Sequence, residues 1–509
     1  MNNSHRKGAE AQRFIFVLTI PLDKGTHTNT LFAFSLSLCA FAVNGVCRTL
    51  AAMALLLALP ALAAPPPPTV AKALHEAGIP EQYVAIYLRE TGATKPLLEH
   101  QSRAPLSPAS TMKLVTTYAA LELLGPAYTW QTGLLAETAP QNGMLEGDLY
   151  LKGSGDPALT IERFWLLLRD LRQLGVRELR GDLILDDSRF AAPGGDPGAF
   201  DNAPLRPYNA LPDALLVNFK STRFRLLPGD NGTGVRLIAD PAPPQLVVEN
   251  RLRGVEGECG DWREGIETSV ERNGGATVKV AFSGDYPLAC GERNWHLALF
   301  DNTTYVSSLF RLLWEEMGGV LRGAAKRGVT PAAARLLASS ESRQLADVVR
   351  DVNKFSNNVM ARQLLLTLGN GSSEAGAQAL NAWLAEKGQR FPELAIENGS
   401  GLSRRERISA EHLGELLAAA WRSPVMAEFV ASLPIAGIDG TMKKRLVERG
   451  VAGHAHIKTG SLKGVKAIAG YVHDRKGRQI VAVFLINHPN AAAGQAAQDA
   501  LLEWIYQRP

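Results

Sequence analysis

Three short stretches carry residues whose types and spacing could do nucleophilic chemistry. In LSPASTMKLVTTYAALELLG (residues 106–125), Ser110 stands three positions before Lys113. Residues three apart share one side of a helix, so hydroxyl and amine can touch. Serine is a weak nucleophile that needs a base within hydrogen-bond reach, and lysine can be that base only when neutral. The same pair has a plain structural use, in which the lysine lays its stem along a helix and keeps its ammonium in water. Spacing does not separate the two uses, and Ser4 with Lys7 repeats the pattern in the N-terminal tail. The second stretch is Ser356-Asn357-Asn358, directly before the apolar run of VVRDVNKFSNNVMARQLLLTLG. Ser and Asn at such a place commonly only cap a helix. The third is Lys458-Thr459-Gly460-Ser461 in HAHIKTGSLKGVKAIAGYV, which otherwise reads as an edge-strand lysine followed by a glycine bulge.

The elements that must position these residues are legible around them. YVAIYLRE and PLLEHQ predict two strands about a Gly-containing turn. Ser107 is placed to cap the first helix and Pro108 suits its first turn. That sets Ser110 where the positive end of the helix dipole favours a developing oxyanion. Met112, Val115 and Ala119 give this helix a buried side. Lys458-Thr459-Gly460 opens a strand, and a turn over residues 474–477 leads into a second, RQIVAVFLIN. The terminal AAAGQAAQDALLEWIYQ reads as a helix beside these strands.

Each structural use is reasonable alone, but together they fit badly. Ser-x-x-Lys, Ser-x-Asn and Lys-Thr-Gly, in this order, form the set used by penicillin-binding proteins and serine β-lactamases. Each also has the setting that set requires: helix start, loop before a helix, and strand. Ser110 and Ser356 lie 246 residues apart, far more than a compact β-lactamase places there. The chain therefore resembles the class C low-molecular-mass penicillin-binding proteins, the D-alanyl-D-alanine carboxypeptidase/endopeptidase family, whose catalytic domain is split by a large insertion. GSGDPALT (153–160), LDDSRF (185–190), NGSGLSRRERIS (398–409) and SLPIAGIDGTM (432–442) follow in fitting order. The resemblance implies an α/β sandwich of the penicillin-binding/serine β-lactamase type, an antiparallel sheet flanked by helices. Residues 65–130 and 301–509 would form it. Residues 131–300 would be a β-rich insertion, with a nested module near 222–295.

The chemistry assigns a role to each position. Ser110 is the nucleophile and Lys113 its base, with burial beside Lys458 depressing the amine's pKa. Ser356 passes a proton between Lys113 and the leaving amine. Asn358 holds a substrate peptide carbonyl, and Lys458 with Thr459 takes a terminal carboxylate. Gly460 leaves the strand open for a substrate lying along it. The N–H groups of Ser110 and Ser461 form the oxyanion hole. By the resemblance, an insertion aspartate contacts the amine of a diaminopimelate side chain. Asp186 is the candidate and Asp187 its neighbour; a turn-forming Asp pair is the structural alternative. The resemblance implies removal of terminal D-Ala from peptidoglycan stem peptides, cleavage of D-Ala–diaminopimelate cross-links, and acylation by β-lactams such as penicillins. No metal or organic cofactor is implied. A β-lactamase, a D-amino-acid esterase and a non-catalytic β-lactam or wall-binding protein are the rival readings. The long insertion weighs against the first two and the intact set of catalytic residues against the third.

The totals agree. A chain of 509 residues suggests two or three domains. Hydrophobic residues at 46% and charged residues at 20% describe a globular protein with a full core. With 54 basic and 50 acidic residues and no Lys/Arg run among aromatics, nucleic acid is excluded as an expected partner. The ten histidines are scattered, and no phosphate loop stands out. Arg48, the apolar run from Leu50 and Ala61-Leu62-Ala63 read as a secretory signal within residues 1–64, cleaved near Ala63 or Ala64. The uninterrupted apolar run is short for a membrane span and ends in prolines. Upstream lies a second apolar stretch, LFAFSLSLCAFAV, which fits a start codon assigned too early. Neither Cys39 nor Cys47 has a lipoprotein setting, and no C-terminal amphipathic anchor is recognisable. The expected location is the periplasm. Removal of the signal leaves Cys259 and Cys290, flanking VKVAFSGDYPLA. These read as one disulfide on a strand-turn-strand module, an oxidising compartment permitting it.

Overall fold

The computed structural model describes residues 64–191, 195–229, 234–272 and 277–508. The secretory signal expected at the N-terminus lies outside them.

The strand Val84–Glu90 shows how the catalytic half is layered. Val84, Ile86 and Leu88 enter one hydrophobic cluster, while Ala85 and Tyr87 enter another. Alternate side chains point to opposite faces, so a strand covered on both sides reads as one apolar run. Its sheet has five strands in the order Ala455–Leu462, Val465–His473, Gln479–Asn487, Val84–Glu90, Leu98–His100, every pair antiparallel. Val84 faces Ile486, so the two ends of the chain are stitched together at the middle of the sheet. Helices Lys113–Leu124, Leu345–Lys354, Asn358–Leu368 and Ala410–Trp421 cover one face through Val115, Val349, Leu364 and Leu417. Helices Pro68–Glu76 and Gln495–Gln507 cover the other through Leu74, Leu501 and Leu502. This is the α/β sandwich of the penicillin-binding type. The single strand expected to open at Lys458 is two: the chain reverses at Lys463-Gly464, where Gly464 has φ +78°. A bare glycine adopts that conformation without the steric cost met by other residues.

A second five-stranded sheet is built from Gln131–Ala136, Leu149–Lys152, Leu183–Asp186, Ala325–Arg327 and Arg335–Glu341. Its outgoing and returning strands, Gln131–Ala136 and Arg335–Glu341, are hydrogen-bonded to each other. Helices Ile161–Gln173 and Asn302–Glu316 pack into the same core, which contains Phe164, Phe310 and Trp314. The boundary expected at residue 300 is therefore corrected. The segment through Glu341 belongs to this core, because its strands complete the sheet begun at Gln131. Two three-stranded sheets follow within Thr222–Leu297. They share an aromatic cluster of Phe224, Trp262, Phe282 and Trp295. Cys259 and Cys290 form a disulfide, with Cα atoms 4.6 Å apart. The strand-turn-strand expected before Cys290 is instead one strand, Val278–Pro287. It lies between Leu246–Val255, paired with it along its whole length, and Ile266–Arg272, paired with it as far as Gly284.

Candidate active site

Ser110 lies in a 3-10 turn, Ala109–Met112, that runs directly into the helix Lys113–Leu124. Ser107 does not cap it: neither turn nor helix has a side-chain cap at its start. Instead Asn487 pins the backbone of Ser107, its Oδ1 accepting from the Ser107 N–H at 2.8 Å and its Nδ2 donating to the Ser107 carbonyl at 3.0 Å. The α-helix thus begins at Lys113 rather than at Pro108, after the 3-10 turn, and its approach is fixed by the central sheet.

Lys113 is wholly buried. Its Nζ meets the Ser110 Oγ at 3.0 Å, the Asn358 Oδ1 at 2.7 Å and the Ser400 carbonyl at shorter range. Two of these partners, both carbonyl oxygens, can only accept. A neutral amine has two N–H bonds and one lone pair. Giving both N–H bonds to the carbonyls leaves the lone pair facing the Ser110 hydroxyl, the one partner able to donate. Burial, and then the charge of Lys458, hold the amine's pKa well below the ordinary lysine range. The contacts leave room for a neutral Lys113 amine beside Ser110, and burial favours that form.

The Ser356-Asn357-Asn358 stretch divides its labour. Asn357 is the helix cap, its Oδ1 accepting from the Met360 N–H at 3.1 Å. Asn358 is the first residue of the helix and binds Lys113. Ser356, left-handed at φ 57°, receives a hydrogen bond from the Lys458 Nζ at 2.8 Å. Lys458 is fully buried, and burial lowers its pKa to about 7. Its Nζ also donates to the Thr459 carbonyl at 2.9 Å, and the Thr459 Oγ1 donates to the Thr441 Oγ1 at 2.8 Å. The sequence order thus converts into two lysine–serine pairs, Lys113 with Ser110 and Lys458 with Ser356.

Gly460 explains how strand and nucleophile come so close. A Cβ there would stand 2.8 Å from the Pro108 carbonyl and 3.0 Å from the Ser110 nitrogen. On its outer edge the strand Ala455–Leu462 is met near its start, where the Ile457 N–H donates to the Pro434 carbonyl at 2.7 Å and the Ala436 N–H to the Ala455 carbonyl at 2.9 Å. From Lys458 onward no further strand of the sheet lies against that edge among the described residues. A cavity of about 510 Å³ reaches Ser356 and Asn358 from the side of the insertion, with Tyr208, Phe219 and Arg223 on its far wall.

Sequence reasoning missed the wall behind Lys113. Ser400 offers its carbonyl, and Gly401 lets the backbones touch, since a Cβ there would fall 1.9 Å from the Ala109 carbonyl. Glu406, fully buried, gathers the loop by accepting from the N–H groups of Glu397, Asn398 and Gly399 at 3.1, 2.9 and 2.8 Å. Burial raises its pKa, against those hydrogen bonds. The stretch NGSGLSRRERIS was visible, but a backbone acceptor leaves no residue-type signal.

Asp186 stands elsewhere in its bonding. One carboxylate oxygen accepts from the Ser188 N–H and Oγ (3.1 and 2.6 Å) and the other from the Thr330 N–H at 2.9 Å. The group is fully buried and these hydrogen bonds hold its pKa below the ordinary range, against burial. Asp187 pairs with Arg327. Both aspartates thus have structural partners, and each Asp186 oxygen already accepts at least one hydrogen bond.

Comparisons with known proteins place this geometry. A family model described as the D-Ala-D-Ala carboxypeptidase 3 (S13) family matches residues 68–508. A D-alanyl-D-alanine carboxypeptidase from an Actinomadura species is 29% identical over 81% of this chain and 79% of its own. A carboxypeptidase DacB from Mycolicibacterium smegmatis is 34% identical over 81% and 77%. Among solved structures, penicillin binding protein 4 (dacB) from Haemophilus influenzae has a similar fold, with a TM-score of 0.71 and 23% identity. That match covers 85% of this chain and 99% of the other.

Proposed function

The chain belongs to the D-Ala-D-Ala carboxypeptidase 3 (S13) family, and we propose that its serine carboxypeptidase activity runs through an acyl-enzyme on Ser110. The Ser110 Oγ gives its proton to the Lys113 Nζ and attacks the carbonyl carbon of the penultimate D-Ala of a peptidoglycan stem. The N–H groups of Ser110 and Ser461 receive the oxyanion. Asn358, with its Nδ2 still free to donate, holds the substrate amide. Lys458 and Thr459 take the terminal carboxylate. The proton held on Lys113 passes through Ser356 to the leaving amine, the C–N bond breaks, and D-Ala departs. Water then attacks the ester and frees both the shortened peptide and Ser110. A cross-link presents the same carbonyl with a diaminopimelate amine as leaving group, so endopeptidase cleavage is the same sequence of steps. A β-lactam carbonyl would acylate the same oxygen, and the site of action would be the periplasm. Among the described residues no helix is long and apolar enough to cross a membrane.

One observation carries this reading: the wholly buried Lys113 Nζ lies 3.0 Å from the Ser110 Oγ and against two carbonyl oxygens, which can take both N–H bonds of a neutral amine. The test is an intact-mass time course with benzylpenicillin and peptide mapping of the adduct, beside D-Ala release from a stem pentapeptide. An adduct on Ser110 together with D-Ala release supports the reading. Rapid drug hydrolysis with no lasting adduct and no D-Ala release would replace it with a β-lactamase.

A further inference from the structure

Outside the serine cleft, the most anomalous polar group is Lys220. Asn218, Phe219 and Lys220 have φ of 48°, 53° and 54°, three successive left-handed residues with no glycine among them. Each costs energy, so the surrounding structure must hold the turn in place. Asn218 does so, its Nδ2 donating to the Ser221 carbonyl at 3.0 Å and to the Tyr305 hydroxyl at 3.1 Å. The Tyr305 hydroxyl in turn donates to the Ser221 carbonyl at 2.8 Å.

The turn separates two cavities. Asn218 and Phe219 line the one that reaches Ser356 and Asn358, whereas Lys220 lines a second, of about 470 Å³. Lys220 is 9% exposed, and its Nζ makes no hydrogen bond or ion pair among the described residues. Asp301 and Asp213 attract it from a distance without reaching it, and burial lowers its pKa. A buried ammonium with no partner is costly. A partner for it would come from the cavity that it lines.

The other charges around the cavity narrow the ligand. They are Arg272, Arg327, Asp196, Asp213 and Asp301. Arg327 is engaged with Asp187, and Arg272 donates to the Leu299 carbonyl at 2.9 Å. Both oxygens of Asp301 are used by Thr304 at the start of the helix Asn302–Glu316. Asp213 accepts from the Leu215 N–H at 2.8 Å through one oxygen and has the Asn302 side chain beside it, while desolvation raises its pKa to about 6. Asp196 accepts from the Gly198 N–H at 2.7 Å through one oxygen. The cavity thus sets an unpartnered ammonium beside carboxyls that keep acceptor capacity, and of these Asp213 is the buried one. A polyanion such as phosphate would meet three carboxylates there. A ligand with a carboxylate beside an ammonium meets both signs.

We propose that this cavity is a second ligand site, for a zwitterionic amino acid or peptide end, with its carboxylate on Lys220 and its ammonium toward Asp213. The site is separate from the serine cleft and stands without the catalytic reading. The probes are D-alanine and D-alanyl-D-alanine, titrated calorimetrically into the intact protein and its Lys458→Met and Lys220→Met variants. A binding event that survives Lys458→Met lies outside the serine cleft; Lys220→Met should weaken it at least tenfold. N-acetylation or methyl esterification of D-alanine should each abolish it. Mapped acetylation of the unsubstituted protein by a trace of acetic anhydride, with D-alanine in excess, gives a readout that needs no variant: modification of Lys220 should fall several-fold relative to that of the exposed Lys72 in the same sample. The proposal fails if no event survives Lys458→Met, if Lys220→Met leaves that event unchanged, if D-alanine gives no protection, or if acetate binds as tightly as the amino acid.

Discussion

Lys113→Met removes the one atom on which the mechanism turns while keeping an unbranched stem of similar length. In the folded protein the substitution leaves the Asn358 Oδ1 and the Ser400 carbonyl without their donor. Each buried acceptor so orphaned costs about 1–3 kcal/mol. Against that, the native state no longer has to hold a lysine neutral. The folded pKa of Lys113 lies well below 10.5, and each unit of that depression is worth about 1.4 kcal/mol at a pH between the folded and unfolded values. The two effects oppose, so the variant should fold with stability changed by only a few kcal/mol.

Acylation should not survive so lightly. A positioned general base contributes about 10²- to 10⁴-fold, roughly 2.7–5.4 kcal/mol of barrier. The assay is the second-order rate of labelling by a fluorescent penicillin, with urea unfolding of the same preparations. In the unsubstituted protein the rate should rise with pH as Lys113 loses its proton, because only the neutral amine can accept one from Ser110. In Lys113→Met that rise should disappear. A folded variant that labels within tenfold of the parent, or one that keeps the same pH dependence, would refute the assignment of Lys113 as base.

Lys458→Met should change how stability depends on pH. The folded pKa of Lys458 is about 7 and its unconstrained value is 10.5, so between them the unfolded chain holds a proton that the native protein lacks. Stability should therefore climb with rising pH in that window, by up to about 1.4 kcal/mol per unit, and the contribution is lost as pH falls toward 7. Urea unfolding at pH 7.5 and 9.5 should show a smaller gain for the variant; equal gains would mean that Lys458 stays protonated in the fold. Asn357→Ala should cost about 1 kcal/mol as a lost helix cap and leave penicillin labelling within a few-fold. Asn358→Ala should slow labelling at least tenfold, and the same two assays separate them. Replacing Cys259 and Cys290 by Ser opens a loop with a sequence separation of 31. Roughly 3–4 kcal/mol of stability should go, seen as a lower melting temperature, while the labelling rate of Ser110 stays the same.

What the sequence made legible follows from what residue types can signal. The sheet strands with alternating faces, the helices behind them and the motif side chains all write themselves in polarity and spacing. Ser110, Lys113, Ser356, Asn358 and Lys458 form the two serine–lysine pairs and their amide because motif order carried that geometry. The wall behind Lys113 did not show, because Ser400 acts through its carbonyl, a group every residue has. Glu406 did not show because a carboxylate in an Arg-rich stretch reads as a surface charge, whereas three backbone N–H groups bury it. Ser107 misled because a serine before a proline looks like a cap when the partner that holds it, Asn487, lies 380 positions away. For Asp186 the motif match could not show its structural partners, Ser188 two residues on and the Thr330 N–H 144 positions away. The limit near residue 300 came from the resemblance, and strand pairing across it is not written in residue types: Arg335–Glu341 closes a sheet opened at Gln131.

The two buried lysines, read together, give the substrate a hand in arming the site. Both have depressed pKa values, but their partners differ. Lys113 faces two oxygens that can only accept and one hydroxyl, so protonation would turn its lone pair from Ser110 into a third N–H. Lys458 faces Ser356 and its own strand carbonyl, at the open end of the edge where a terminal carboxylate is proposed to lie. A carboxylate arriving beside Lys458 favours the ammonium form and raises its pKa from about 7. The charge so fixed on Lys458 acts on Lys113 in the opposite sense, since Lys458 is already the second cause of the depression there. Binding a substrate with a free carboxylate should therefore push Lys113 further toward the neutral base, whereas an amidated end should not. Carboxylate recognition and nucleophile activation would then be one electrostatic event. In that case a substrate lacking the carboxylate loses chemical rate as well as affinity.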